Sequence, residues 1–130
     1  MNSLSVVLPA YNEEENVEDA VRHVSEVAQT LDRAYEIILV NDGSSDRTGE
    51  IGRELGGQVP NFRLVEHYPN RGYGGALKAG FDAAEKDLIA FFPGDAQFDF
   101  VEISRLLERL EEKHADIACG YRVDRQDNFV

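Results

Sequence analysis

Apolar residues along the chain follow two alternating periods. Leu4 to Leu8 is a short β-branched run stopped by Pro9, which predicts a buried strand. Val17, Ala20, Val21, Val24, Val27, Ala28 and Leu31 then recur at steps of three and four, the apolar face of a helix. Asn12 stands where an N-cap belongs, and Glu15 follows three residues later in capping-box fashion. Ile37 to Val40 predicts a second strand and Asn41 to Ser45 a turn. Asp46 is placed to cap a helix running to about Leu55, which Gly56 and Gly57 end. Phe62 to Val65 predicts a third strand. Pro69 to Gly75 reads as a glycine-rich loop ahead of a small-residue helix from Gly75 to about Ala84. Leu88 to Phe92 predicts a fourth strand. Asp99 and Glu102 form another capping box, opening a helix with Ile103, Leu106, Leu107 and Leu110 on one face, and Ile117 to Cys119 starts a fifth strand.

Strand and helix alternating this often predict an α/β fold, a three-layer α/β/α sandwich with a mostly parallel sheet and right-handed crossovers. The 130 residues make one domain. In such sheets ligands bind beyond the carboxyl ends of the strands. The loops after the first four strands are therefore the place to look, and all four are chemically unusual.

Composition narrows the partners. The chain carries 25 acidic and 13 basic residues, a formal charge of -12. That balance excludes a nucleic-acid binder, which needs a basic face. It would also repel a phosphate ester unless a divalent cation intervened. A single cysteine, Cys119, rules out an internal disulfide framework. The opening residues lack a signal peptide's basic start and apolar stretch, and no apolar run approaches the roughly 20 residues of a membrane span. These features fit a cytoplasmic domain, or one at the cytoplasmic face of a membrane if a longer chain supplies an anchor.

The first loop, Pro9-Ala10-Tyr11-Asn12-Glu13, sets a ring that can stack on a nucleobase beside a carboxylate that can accept from ribose hydroxyls. For Asn12, Glu14 and Glu15, helix capping and the helix dipole are sufficient roles, while for Tyr11 and Glu13 a structural role and a ligand role stand side by side. In the second loop, Asn41 to Asp46, Asp42 follows a buried strand and precedes a glycine, so it is expected to point into the crevice and accept from a base N–H. The other reading is an Asx turn. The third, Asn70-Arg71-Gly72-Tyr73-Gly74-Gly75-Ala76, allows close backbone approach, and a helix start offers N–H groups to phosphate. It is neither common phosphate fingerprint, because Leu77 takes the last glycine position and no glycine-lysine-serine ending follows. The fourth, Pro93 to Asp99, delivers Asp95 and Gln97, oxygen ligands suited to Mg²⁺ or Mn²⁺, with Asp99 as a helix cap. His23, His67 and His114 are scattered without metal-site spacing, Cys119 reads as core, and the charges from Arg105 to Lys113 read as a solvated face.

These four motifs, in this order and at these intervals, resemble glycosyltransferase family 2 with its GT-A fold, and within it the dolichyl- and polyprenyl-phosphate sugar synthases. The resemblance covers nearly the whole chain. It implies that Pro9, Ala10, Tyr11, Glu13, Asp42, Gly72, Lys78, Gly94 and Asp95 line the donor nucleotide, with Asp42 reading the base. It implies that Asp95 is catalytic, that Asp95 and Gln97 hold the divalent cation, and that Arg122 lies near phosphates. The implied reaction moves a sugar from a UDP- or GDP-sugar to a lipid phosphate, with inversion. Such an acceptor is already anionic, so little general base is required.

Two departures qualify the resemblance. Pro93 stands where the family has the first aspartate of its metal motif, so one oxygen ligand is absent and the metal is expected to bind less tightly or keep more water. The sequence also stops at Val130, ahead of the acceptor-binding segment that family members carry, so a fragment that binds donor better than it transfers sugar is expected. One competing reading is a non-catalytic nucleotide-sugar-binding module, which would bind without metal. Another is a nucleotidyltransferase, which would need a basic glycine-rich first loop; Pro9 to Glu13 is not one.

Overall fold

The computed structural model describes residues 2–92 and 100–112. Four strands, β1 (Leu4–Ala10), β2 (Tyr35–Asp42), β3 (Phe62–His67) and β4 (Leu88–Phe91), form one parallel sheet in the order β3-β2-β1-β4. Helices α1 (Val17–Ala28), α2 (Thr48–Leu55) and α3 (Gly72–Ala83) make the connections. The chain divides into two compact units at Asp99. The second begins with a 3-10 turn, Phe100–Glu102, and α4, Ile103–Glu112, in which Ile103 and Leu107 are buried. The expected fifth strand, Ile117 to Cys119, lies outside the described residues.

Strands β1 and β2 are buried on both faces, as parallel strands covered by helices must be. Register assigns Val7, Ile38, Val40 and Val65 to one face. There α3 packs with Ala76 and Gly80. Leu39 and Leu64 belong to the other face, under Gly52 of α2, with α1 beside α2 and against β2. The sheet steps from β1 to β2 to β3 in one direction and then jumps back past β1 to β4. A constant crossover hand requires that reversal to carry its helix to the opposite face, and α3 lies there. The three layers and the parallel sheet are as the sequence predicts.

Several boundaries differ. β1 runs through Pro9 to Ala10 instead of stopping at Leu8. Pro9 is tolerated because the β1–β4 pairing ends at Val7↔Phe91, so the N–H that proline lacks has no rung to fill. Asn12 is not the cap of α1, which starts at Val17 after Asn16. Asn12 instead adopts φ 53° and turns its amide to the second loop. β2 continues through Asn41 and Asp42, and β3 through Glu66 and His67, because polar side chains at the sheet end partner one another. α3 begins at Gly72, so the glycines form its first turn, not a loop ahead of it.

At the amino end of the strands, Glu36 is buried and accepts from Ser5 Oγ at 2.6 Å, Glu85 N at 2.8 Å and Arg63 at 2.9 Å. Burial pushes its carboxyl up, but these partners outweigh that and hold it below its ordinary value of 4.5.

Candidate functional site

The loops at the carboxyl ends of β1, β2 and β3 are tied together by side chain to backbone bonds. Asn12 N donates to Ser44 Oγ at 2.9 Å, and Ser45 N donates to Asn12 Oδ1 at 2.8 Å. Glu13 N donates to Thr48 Oγ1 at 2.9 Å, and Glu14 N to Asp46 Oδ2 at 3.2 Å. Asp46 also takes the Thr48 N–H at 2.9 Å, but the N-cap of α2 is Arg47, so Asp46 is not the cap expected of it and instead forms an Asx turn leading into the helix. Gly43 holds φ +69°, and a Cβ there would lie 2.5 Å from Asn70 N, so the second and third loops touch backbone to backbone.

Asp42 is the centre of this arrangement. It is the last residue of β2, and its side chain is 5% exposed. Oδ1 accepts the Arg71 N–H at 2.8 Å and Oδ2 accepts the Gly72 N–H at 2.9 Å. The anion that satisfies the start of α3 is therefore the protein's own carboxylate, and the expectation that these leading N–H groups await a phosphate is corrected to that extent. His67, the register partner of Asp42 on β3, sets Nδ1 2.9 Å from Oδ1. The contact lacks hydrogen-bond geometry, and neither ring nitrogen has a hydrogen-bond partner among the described residues.

A second cluster supports the same turn from the opposite face of the sheet. Asn41, fully buried, donates to Glu66 Oε2 at 2.9 Å and to Tyr68 Oη at 3.0 Å, and accepts the Ser44 N–H at 3.2 Å. Arg53 donates to both Glu66 oxygens at 2.9 Å. Burial raises the Glu66 carboxyl, while Asn41 and Arg53 lower it by more and leave it below 4.5. Asp46 is likewise pushed up by burial and pulled further down, by Thr48.

Glu36, Glu66 and Asp46 thus all ionise more readily folded than unfolded. In acid the unfolded chain binds more protons, so their stabilisation is fully present above about pH 4.5 and is lost as pH falls through the lower folded values. The urea midpoint is expected to fall steadily between about pH 5 and pH 3. Glu36→Gln should be less stable at neutral pH yet flatter over that range. A midpoint independent of pH there would contradict the assignment.

The residues expected at the site are not all brought together. Pro9 and Ala10 are buried at the end of β1, while Tyr11 is half exposed and Glu13 is half-buried, accepting from Asn16 Nδ2 at 3.3 Å. Tyr11, Glu13, Asp42 and Gly72 sit on the laced loop edge. Lys78 is six residues into α3, about 9 Å along the axis from Gly72 by helical rise. Its ammonium pairs with Asp82 at 2.9 Å in solvent, not with the loops. Gly94, Asp95, Gln97 and Arg122 lie outside the described residues, and among the described residues no His, Cys, Asp or Glu cluster could hold a metal. His67, set aside as scattered, and the Asn41–Glu66–Tyr68 cluster were missed. Their signal was register: Asn41, Glu66 and His67 sit just past the last apolar residue of β2 or β3, and Tyr68 directly follows β3.

A parallel α/β sheet with its loops bound into one edge defines an open α/β domain, whose ligands are expected at the carboxyl ends of the strands. Residues 5–130 match Glycosyl transferase family 2, and the chain belongs to that family. It is 38% identical over 128 residues to the undecaprenyl-phosphate 4-deoxy-4-formamido-L-arabinose transferase of Edwardsiella ictaluri (strain 93-146), over 97% of this chain. The chain spans 39% of that protein's length. Its fold is similar to that of the mannosyltransferase PcManGT from Pyrobaculum calidifontis, solved with GDP-Man and Mn²⁺. That match has TM-score 0.74 and 23% identity, and covers 84% of this chain and 32% of that one. It is also similar to S. aureus TarS 1-349 in complex with UDP-GlcNAc, with TM-score 0.69 and 20% identity, over 86% and 32% of the two chains. The fold is therefore α/β of the GT-A type. No helix among the described residues is long and apolar enough to cross a membrane.

Proposed function

We propose that this chain is the donor-binding part of a glycosyltransferase that moves a sugar from a nucleotide-diphosphate sugar to a polyprenyl phosphate. The observation that carries the reading is the laced carboxyl edge, in a chain that belongs to a glycosyltransferase family throughout. Tyr11 offers a stacking face, Glu13 a carboxylate for ribose hydroxyls, and Asp42 an acceptor for the base. The acceptor class follows the undecaprenyl-phosphate relative. A lipid-phosphate oxygen would attack the anomeric carbon as the bond to the nucleoside diphosphate breaks, inverting that centre. The nucleophile is already anionic, so no side chain need remove a proton.

Asp95 and Gln97 offer a carboxylate and an amide oxygen, a donor set that fits a hard divalent cation, and solved neighbours contain Mn²⁺. When bound, the cation neutralises charge on the departing diphosphate. Asp95 would be its principal holder and in that sense the catalytic residue. Pro93 has no side-chain oxygen to add to Asp95 and Gln97.

Calorimetric titration with UDP and GDP, each with and without Mn²⁺, tests the reading. Metal is expected to strengthen binding of a nucleoside diphosphate, and Asp95→Ala to erase that gain while leaving metal-free binding. Binding indifferent to metal would instead identify a nucleotide-sugar-binding module that Pro93 has left without catalysis.

A further inference from the structure

The contacts of Asp42 limit which base it can read. A carboxylate has about four lone-pair directions, two on each oxygen. Oδ1 has the Arg71 N–H at 2.8 Å and the His67 ring nitrogen at 2.9 Å against it. Although that contact lacks hydrogen-bond geometry, a heavy atom at that distance shields the oxygen from any further donor. Oδ2 carries only the Gly72 N–H at 2.9 Å among the described residues. One acceptor direction is left, on one oxygen, in a side chain that is 5% exposed.

Uracil and guanine differ in what they present to such a group. Uracil offers one N–H between two carbonyls. Guanine offers a ring N–H beside an exocyclic amine, two parallel donors that match a carboxylate only if each oxygen keeps an open acceptor direction. At Asp42 that match would have to displace either the cap of α3 or His67. We infer that His67 is a specificity-determining residue that, by closing Oδ1, makes the site select a uridine over a guanosine diphosphate donor. The inference rests on the nucleotide-donor reading above and adds to it the base and the residue that chooses it.

His67 acts through Asp42, so a merely structural role would weaken both nucleotides alike and leave their ratio unchanged. Removing the ring opens the second acceptor direction of Oδ1, which keeps the Arg71 N–H, so that each oxygen can take one further donor. Asparagine, whose amide is short enough to stay beside Oδ1, should hold it closed.

The test is calorimetric titration of the chain with UDP and with GDP in Mn²⁺, repeated for His67→Ala and His67→Asn, with thermal unfolding to confirm folding. Wild type is expected to bind UDP at least about tenfold more tightly than GDP. His67→Ala should shrink that ratio by about tenfold, and His67→Asn should keep it. Equal affinities or a GDP preference in wild type would overturn the inference with no variant needed. So would a ratio unmoved in folded His67→Ala, while nucleotide binding itself stood. A folded wild type that binds neither nucleotide would remove the donor reading and this inference with it.

Discussion

Gly80→Ala is expected to destabilise the chain by about 2 kcal/mol, while the same change at Gly74, on the same helix, is expected to be neutral or stabilising by up to about 1 kcal/mol. Both glycines lie in α3, where replacing glycine by alanine ordinarily favours the helix. At Gly74 an added Cβ meets nothing within 4 Å. At Gly80 it would lie 2.3 Å from Val7 Cγ1 and 3.3 Å from both Val40 Cγ2 and Val7 Cβ. Neither valine can yield, since both are fully buried on the two central strands and β-branched side chains have little χ1 freedom. The helix must instead lift from the sheet, opening the core formed by Val7, Ile38, Val40 and Ala76. Gly80→Val adds two more carbons at the same point and should prevent a cooperative fold. Thermal or urea unfolding of the variants decides the matter. If Gly80→Ala proved as stable as Gly74→Ala, α3 would not pack on the sheet as described.

That close approach was not visible in the sequence, although the helix was. The period of the apolar residues is a local property, so β1, α1, β2, β3 and β4 could be placed from it, and α2 from Asp46 and the Gly56-Gly57 stop, and with them the parallel sheet. What escaped depended on residues far apart in the chain. Pro9 stands inside a strand because its neighbour β4 stops pairing at Phe91. Gly72 to Gly75 are helical, not loop, because Asp42, some 30 positions earlier, supplies the carboxylate that satisfies the helix start. His67 carried no local signal and becomes conspicuous only once β2 and β3 are set in register. The motif pattern placed the first two loops correctly, the third proved to be the first turn of α3, and the fourth lies outside the described residues. It could not show that Asp42 binds the start of α3, because a hydrogen bond between distant segments leaves no periodicity.

The double engagement of Asp42 makes its removal the most damaging change expected at the site. Asp42→Ala withdraws the acceptor from two backbone N–H groups, of Arg71 and Gly72, and leaves His67 without its nearest charge. Losing an N-terminal cap costs about 1 kcal/mol and each stranded donor about 1–3 kcal/mol where water cannot reach it, so a loss of about 3 kcal/mol is expected. Asp42→Asn should fall between wild type and alanine in stability, since its one oxygen can keep one N–H while its amide faces the other. Nucleotide binding should respond differently. Neither variant retains a carboxylate, so both should lose base recognition, with affinity for a nucleoside diphosphate down by at least about tenfold even in the better-folded asparagine variant. Urea unfolding and calorimetry on the two variants separate these outcomes. If affinity simply tracked stability, with asparagine binding nearly as well as wild type, Asp42 would be only the cap of α3. If asparagine kept most of the stability and lost the nucleotide, one carboxylate would be serving both the third loop and the ligand, which explains why so acidic a chain closes its helix start with an anion of its own.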